Sequence, residues 1–138
     1  MSDPTETQIA ILQSLPAQVP VAVLNLFQFR DRASYSPDDP EHGTAEADIT
    51  GQEAYARYAA IAGQSISAIG GRVVFSTAVD QVMIGPSEPN WDVSAIMYFP
   101  TRADFMGMLG NPEFQSASRH RKAALANHYM LHLKGDSF

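Results

Sequence analysis

The sequence predicts an α+β domain built on an antiparallel sheet, with its helices on one face. The chain has 138 residues, of which 45% are hydrophobic, enough for one domain with a well-filled core. Its apolar patterns follow one another in the order strand, helix, long strand, strand, helix pair, strand. Because right-handed crossovers between such strands place the helices on the same side, the predicted architecture is a ferredoxin-like sheet.

The clearest strand spans residues 19–29, which are rich in Val, Leu and Phe. Successive side chains of a strand point to opposite faces. One face carries Val21, Val23, Asn25, Phe27 and Phe29, and the other carries Ala22, Leu24, Leu26 and Gln28. Since both faces are mostly apolar, we expect this strand to be central and covered on both sides. Asn25 is a polar amide in the middle of an apolar face.

Residues 1–18 are expected to be an N-terminal helical extension of a single domain that spans residues 19–138. Thr5 and Gln8 form a capping-box pair, and Pro16 ends the amphipathic stretch. We interpret the extension as a docking appendage or a dimer arm and not as part of a site.

Residues 30–49 form a polar insertion without helical or strand periodicity, and they include Pro37, Pro40 and Gly43. A structureless segment of this length is uncommon inside a compact domain and favours a lid or a binding loop. A solvated spacer explains the composition equally well, so both interpretations stay open.

Residues 50–69 form the longest predicted helix. Thr50 and Glu53 supply a capping box at its start, and its apolar stripe includes Tyr55 and Tyr58. Tyrosines in such a stripe usually belong to the core, with the hydroxyl group at its rim. The two tyrosines are candidate substrate-binding residues where that rim meets a ligand.

The second half of the chain continues the alternation. Residues 72–84 are predicted to be extended, either as one long bent strand or as two short strands around Asp80. Residues 92–99 form a strand that Pro and Thr bring to an end. A short helix begins at Thr101 and a second one at Asn111, which is a good N-cap followed by proline. Residues 129–133 are the last predicted strand.

Arg121 is the main candidate for a ligand-binding side chain. At 100° per residue it lies about 20° around the helix axis from Phe114, in the middle of an otherwise apolar stripe. A buried charge must be paired or meet an anion, so Arg121 can anchor a carboxylate or enolate through bidentate hydrogen bonds. The alternatives are an ion pair with an internal acid such as Asp92 or Glu53, or extension of the side chain into solvent.

Four further residues are candidates for the same site. His120 can act as a general base, and the alternative is an exposed helix histidine. Asn25 can polarise a carbonyl or an oxyanion, and the alternative is a buried amide satisfied by the neighbouring chain. Phe27, on the same strand face, is a candidate substrate contact. Trp91 either walls a pocket or lies at a dimer seam.

Composition argues against several classes of protein. The net charge of −6 argues against binding to nucleic acid or to an anionic membrane surface. The absence of Cys excludes disulfides, a thiol nucleophile and thiolate metal ligands, and it suits a reducing cytosol. No apolar run approaches 18 residues, and the first residues lack the pattern of a signal peptide. We therefore expect a cytoplasmic protein without nucleic-acid or membrane partners.

A metal or cofactor site is not expected. His128 and His132 share a strand face, but four strand residues span about 13 Å, which is too far for one ion. The sequence contains no GxGxxG or GxxxxGK phosphate-binding motif after a strand, and no GxSxG nucleophile elbow.

Five short stretches together resemble one family: LNLFQF, EAYARYA, GGRVVF, MYFP and NPEFQSASRHR. Over residues 19–133 the chain resembles the domain-of-unknown-function 1330 family, within the dimeric α/β-barrel superfamily. The resemblance implies a ferredoxin-like domain that forms a homodimer. In the family pattern an arginine follows the NPE-aromatic motif by seven residues, which is Arg121 here. The family's strand asparagine corresponds to Asn25, and its helix tyrosines correspond to Tyr55 and Tyr58.

The insertion at residues 30–49, the N-terminal helix and Phe114 in place of a commoner tyrosine depart from that pattern. The family has no assigned reaction, and its superfamily includes cofactor-free oxygenases and isomerases. We therefore expect a homodimer that binds a small anionic or oxygenated organic molecule in a cleft between helix and sheet. The enzymatic interpretation is a cofactor-independent oxygenase or isomerase. The alternative is a non-catalytic metabolite-binding or dimeric interaction module.

Overall fold

The computed structural model describes residues 3–136 and contains a four-stranded antiparallel sheet. Its strands are β1 (Val21–Phe29), β2 (Arg72–Ala78), β3 (Val93–Phe99) and β4 (Leu125–Lys134), in the spatial order β2-β3-β1-β4. The helices are α1 (Glu6–Ser14), α2 (Gly51–Ala68), α3 (Arg102–Leu109) and α4 (Pro112–Ala124), with a single 3₁₀ turn at Ala45–Ala47. β1 is central, as predicted, and the α+β ferredoxin-like class is confirmed.

Side-chain caps set the helix starts. Thr5 with Gln8 and Thr50 with Glu53 form complete capping boxes, so both predicted boxes are confirmed. Asn111 caps α4, because its side-chain oxygen accepts two backbone N–H groups of the first turn. These starts are local in sequence, which is why the pattern located them.

The helices cover one face of the sheet and leave the other open. The helix-facing side chains of β1 are nearly inaccessible: Val21, Val23, Asn25 and Phe27 are at most 2% exposed. The uncovered face carries large apolar side chains that remain accessible, namely Phe75 (56%), Tyr129 (53%), Leu131 (41%) and Leu133 (39%). Within one chain, helices therefore cover one face of β1, and the other face of the predicted two-sided coverage is left open.

β4 begins at Leu125, directly after α4 and four residues before the predicted strand. Leu125 pairs with Phe29, and Asn127 pairs with Gln28 through a 2.7 Å hydrogen bond from its side-chain amide. The pattern missed this beginning because the segment is polar. Its partners lie on β1, about a hundred residues earlier in the chain.

β2 is shorter than predicted. It ends at Ala78, whereas the extended pattern continued to residue 84. The N–H group of Val79 donates to the carbonyl of Asp92 at 3.0 Å and closes the base of the β2–β3 connection. Beyond it, Met83 and Ile84 are 81% and 92% exposed, so the apolar residues there are not part of the core.

The insertion at residues 30–49 is packed onto α4. The N–H group of Ser34 donates to the carbonyl of Ala123 at 2.9 Å. Glu41, which is 5% exposed, pairs with Arg119 at 2.8 Å between Oε1 and Nε. Backbone hydrogen bonds and a largely buried ion pair therefore hold the segment in place.

The N-terminal extension is attached more lightly. No side chain of α1 is buried, and Leu12 packs against the edge of the core. At the end of the extension, the N–H group of Ala103 donates to the carbonyl of Ala17 at 2.8 Å. We keep the division into residues 1–18 and a domain at 19–138 as a proposal.

Within residues 3–136, no helix is long and apolar enough to cross a membrane. In the same range, no three His, Asp or Glu side chains converge in a way that would hold a metal ion.

Candidate functional site

Asn25 and Phe27 lie on the helix-covered face of β1, next to His128 on β4. The strand register places His128 opposite Phe27, and the two ring centroids are 4.8 Å apart. In an antiparallel pair, residues opposite each other point to the same face, so the histidine side chain also faces the helices.

The side chain of Asn25 is bonded on both sides. Its Oδ1 lies 2.9 Å from Nε2 of His128, and its Nδ2 donates to the sulfur of Met97 at 3.7 Å. Burial, and secondarily the charge of Arg121, lower the pKa of His128 to about 4. The imidazole is therefore neutral at pH 7.

Tyr55 and Tyr58 form the α2 wall above these strand residues. The ring of Tyr55 lies 4.8 Å from that of Phe27 and 5.6 Å from that of Tyr58, measured between centroids. Burial raises the pKa of both phenols, and the phenol of Tyr58 adds to the rise at Tyr55. The charge of Arg121 partly opposes the rise at both. Both hydroxyl groups therefore stay protonated and can donate hydrogen bonds.

Arg121 closes the group from α4. Its side chain is only 12% exposed, and its charge acts on Tyr55, Tyr58 and His128. We call the space bounded by these four side chains together with Asn25 and Phe27 the helix–sheet cleft. One cation, two phenol groups, one neutral imidazole and one apolar ring therefore meet in the cleft.

The carboxylate of Asp3 lies at the guanidinium of Arg121, with Oδ1 at 3.3 Å from Nη2. Its other oxygen lies 3.1 Å from Nζ of Lys122. Partial burial works in the opposite direction, but the hydrogen bonds and charges of Lys122 and Arg121 lower the pKa of Asp3. Asp3 is 54% exposed, so the acid at Arg121 comes from the accessible N-terminal segment.

The two internal acids considered as partners for Arg121 have other roles. Asp92 accepts the backbone N–H group of Phe29 at 2.9 Å. Glu53 accepts the N–H group of Thr50 at 3.1 Å as part of the α2 capping box.

His120 belongs to a different group of residues, under the insertion at residues 30–49. Its Nδ1 lies 2.7 Å from the hydroxyl of Tyr35, which also accepts from Nη1 of Arg57 at 3.3 Å. Burial, followed by the charge of Arg119, lowers the pKa of His120. The structure therefore does not bring His120 to the helix–sheet cleft, although it neighbours Arg121 in sequence.

Trp91 also lies away from the cleft. Its ring centroid is 6.4 Å from that of Tyr129, which points to the uncovered face of the sheet. Of the two positions considered for Trp91, the one at a possible dimer seam fits this contact.

Arg121 lines neither of two cavities that lie within residues 3–136. One, of about 410 Å³, opens beside the insertion and is lined in part by Tyr35 and His42. The other, of about 200 Å³, lies between the end of α2 and α3, and Asn111 also lines it. At Arg121, the helix–sheet cleft is covered by Asp3.

Comparison with known protein families identifies the family of this chain. Residues 44–134 match the family described as domain of unknown function (DUF1330). The chain belongs to the DUF1330 family. The matched residues include Tyr55, Tyr58, Arg121 and His128, whereas Asn25 lies before them.

Solved structures support the same assignment. The chain is 32% identical to the RPA0582 protein of unknown function from Rhodopseudomonas palustris, over 98% of this chain and 96% of that one, with a TM-score of 0.85. The methylated RPA0582 protein is 31% identical over 99% and 96%, with a TM-score of 0.87. A hydroxynitrile lyase from Passiflora edulis is 11% identical over 88% and 97%, with a TM-score of 0.54, which shows a shared fold alone. Among curated proteins, none matches this chain.

In this DUF1330 protein, His128 is the cleft residue that sequence reasoning missed. The histidine was considered only as a metal ligand together with His132, which instead packs edge-on against Phe105 with ring centroids 4.8 Å apart. A signal was present in the sequence, because residues 128, 130 and 132 share one strand face. Their position relative to Asn25 depends on the register between β1 and β4, which the sequence alone does not give.

Proposed function

We propose that this DUF1330 protein binds a small organic anion in the helix–sheet cleft, with Arg121 holding the anionic group. The observation that carries the proposal is the carboxylate of Asp3 at 3.3 Å from a guanidinium that is itself mostly buried. A guanidinium recognises carboxylates through directional, charge-assisted hydrogen bonds. A ligand carboxylate can take the position that Asp3, an exposed residue, now occupies.

The remaining groups of the cleft suit an oxygenated molecule with an apolar body. The hydroxyl groups of Tyr55 and Tyr58 can donate to oxygen atoms of a ligand, since burial keeps both phenols protonated. Phe27 and the tyrosine rings supply an apolar wall. Such a combination of few polar groups on apolar walls is typical of small-molecule sites.

The enzymatic form of the proposal is a cofactor-independent oxygenase or isomerase. Arg121 would stabilise a developing carboxylate or enolate, and a tyrosine or His128 would exchange a proton with the ligand. Asn25 would act through His128, because its carbonyl oxygen already accepts from that ring. His120 has no role in this step, because Tyr35 holds it under the insertion and away from the cleft.

A thermal-shift screen of small carboxylates, phenols and lactones tests the binding proposal. Compounds that stabilise the natural protein should lose that effect in Arg121→Gln. Lys122→Gln is the matched control, since it removes a neighbouring cation that also contacts Asp3 and lies 50% exposed on the same helix. Equal ligand shifts in both variants and in the natural protein would contradict a role for Arg121.

A non-catalytic metabolite-binding module is the alternative. Incubating a compound found in the screen with the protein, and following its NMR spectrum over hours, separates the two. Conversion that Arg121→Gln abolishes supports an enzyme. An unchanged spectrum of a tightly bound compound supports a binding module.

We further propose that the protein is a homodimer, with a second copy covering the open face of the sheet. That face carries Phe75, Tyr129, Leu131 and Leu133, each more than a third exposed in the single chain. A contiguous apolar surface of this kind is uncommon on monomers and marks an association site. Face-to-face pairing of identical sheets buries the same patch on both subunits, as two-fold symmetry requires.

A further inference from the structure

We infer that His128 selects the ligand: its Nδ1 accepts a hydrogen bond from a hydroxyl group on the molecule whose carboxylate Arg121 holds. The ligand class is then a hydroxylated organic acid with an apolar body. This inference rests on the proposed function and adds the substrate class to it.

Asn25 fixes which nitrogen of His128 carries the proton. The amide has two neighbours, the sulfur of Met97 and the imidazole. A thioether sulfur can accept a hydrogen bond but cannot donate one. The amide nitrogen therefore faces the sulfur, the carbonyl oxygen faces the ring, and Nε2 of His128 must be the N–H donor.

Nδ1 is then the acceptor of the neutral ring. Protonation there would place an imidazolium close to the guanidinium of Arg121 in a buried setting, which both burial and charge oppose. The other polar groups of the cleft all have a hydrogen to donate. Arg121 can only donate, and the hydroxyl groups of the two tyrosines and the amide of Asn25 can donate as well as accept. While the carbonyl oxygen of Asn25 accepts from Nε2–H, Nδ1 of the neutral His128 ring can only accept.

Nδ1 is also partly exposed. Within residues 3–136, Nε of Arg102 is the fully buried side-chain nitrogen or oxygen that lacks a hydrogen-bond partner. In that range the ring of His128 bonds through Nε2, so Nδ1 is not fully buried.

Arg121 as a cation and Nδ1 of His128 as an acceptor together determine which ligands bind. A carboxylate without a hydroxyl group satisfies Arg121 but leaves Nδ1 desolvated and unpaired. A site built to hydrogen-bond a hydroxyl group discriminates against the analogue that lacks it, because its own polar group is left unsatisfied. We expect about a tenfold preference or more for the hydroxylated acid.

Benzoate and the three hydroxybenzoates are a matched set of probes, since they differ only in the presence and position of one hydroxyl group. Calorimetry on the full chain should show at least one hydroxybenzoate binding about ten times more tightly than benzoate. His128→Leu should remove that preference while benzoate still binds. His132→Leu, a histidine on the same face of β4 outside the cleft, is the control and should keep it.

Nitrogen NMR of histidine-labelled protein gives a second, ligand-free readout. Nε2 of His128 should show the chemical shift of a protonated nitrogen and Nδ1 that of an unprotonated one, and Asn25→Ala should mix the two tautomers. The opposite tautomer in the natural protein overturns the inference, and this measurement remains decisive if His128→Leu fails to fold.

The outcomes separate the inference from the proposed function. Benzoate binding that depends on Arg121 but shows no preference for any hydroxybenzoate overturns the hydroxyl selection alone. Failure of all four compounds to bind overturns the stated ligand class and counts against the binding proposal. A preference that survives His128→Leu shows that another group reads the hydroxyl.

Discussion

Asp3 and Arg121 are 118 residues apart in the chain, yet a carboxylate oxygen of one lies 3.3 Å from a guanidinium nitrogen of the other. The N-terminal segment therefore places an acid where the proposed ligand would place its own. The helix that follows Asp3, α1, has no buried side chain. The extension therefore contacts the cleft through Asp3.

Asp3→Asn should strengthen binding of small carboxylates. The natural carboxylate competes with the ligand for Arg121, and an ion pair whose acid is exposed to solvent is worth about 0.2–1 kcal/mol. Removing it should therefore lower the dissociation constant of benzoate about 1.4- to fivefold, measured by calorimetry. Glu6→Gln, which removes a nearby acid of α1, is the control. An unchanged affinity in Asp3→Asn would show that the segment does not compete.

His128 should make the folded state lose stability as the pH falls. An unfolded histidine titrates near 6.5, whereas burial lowers the pKa of His128 to about 4. Between these values the unfolded chain binds a proton that the folded chain does not, so the free energy of unfolding decreases with decreasing pH. Between pH 7 and pH 5 this contribution is on the order of 2 kcal/mol.

Urea unfolding at fixed protein concentration measures the effect. His128→Gln, which keeps a hydrogen-bonding side chain, should show a flatter profile between pH 7 and pH 5 than the natural protein. Keeping above pH 5 avoids the range in which carboxylates with a lowered pKa, such as Asp3 and Glu41, become protonated. Parallel profiles for the two proteins would contradict a neutral buried imidazole at this position.

Tyr35→Phe should loosen the insertion at residues 30–49. The lost hydroxyl removes a hydrogen-bond partner from Nδ1 of His120 and from an N–H group of Arg57. His120 is only 6% exposed. An unsatisfied buried group costs about 1–3 kcal/mol, so the variant should lose stability of that order. Hydrogen exchange should quicken at Ser34, whose N–H group bonds to α4.

Tyr98→Phe is the matched control for that change. Tyr98 lies on the open face of the sheet, where its ring stacks 5.3 Å from the guanidinium carbon of Arg72. Losing its hydroxyl should leave exchange at Ser34 unaltered. Equal exchange in Tyr35→Phe and the natural protein would mean that backbone bonds alone hold the insertion.

The sequence was sufficient wherever a signal is local. The capping boxes at Thr5 and Thr50 and the cap at Asn111 depend on residues within one helical turn, and all three form. Alternation along β1 placed Asn25 and Phe27 on the buried face for the same reason. These features also order the elements, and the order determines the fold class.

The sequence was insufficient wherever distant residues meet. His128 joins Asn25 across 103 residues, and Asp3 joins Arg121 across 118. His120 could not be assigned from helical angle alone, because its environment is made by Tyr35 of an insertion without periodicity. Such contacts depend on strand register and loop packing, which a periodic pattern does not encode.

Leu131→Glu should disrupt the proposed homodimer. Leu131 lies opposite Leu24 on the open face of the sheet, where it is 41% exposed in the single chain. A second copy packed on that face would bury the new carboxylate in an apolar environment, which is strongly unfavourable. Light scattering at micromolar concentration should therefore give twice the 15.0 kDa chain mass for the natural protein and the chain mass itself for the variant. Gln64→Glu adds the same charge on an exposed position of α2 and should leave the dimer intact. A monomeric natural protein would refute the assembly, and a dimeric Leu131→Glu would place the interface elsewhere.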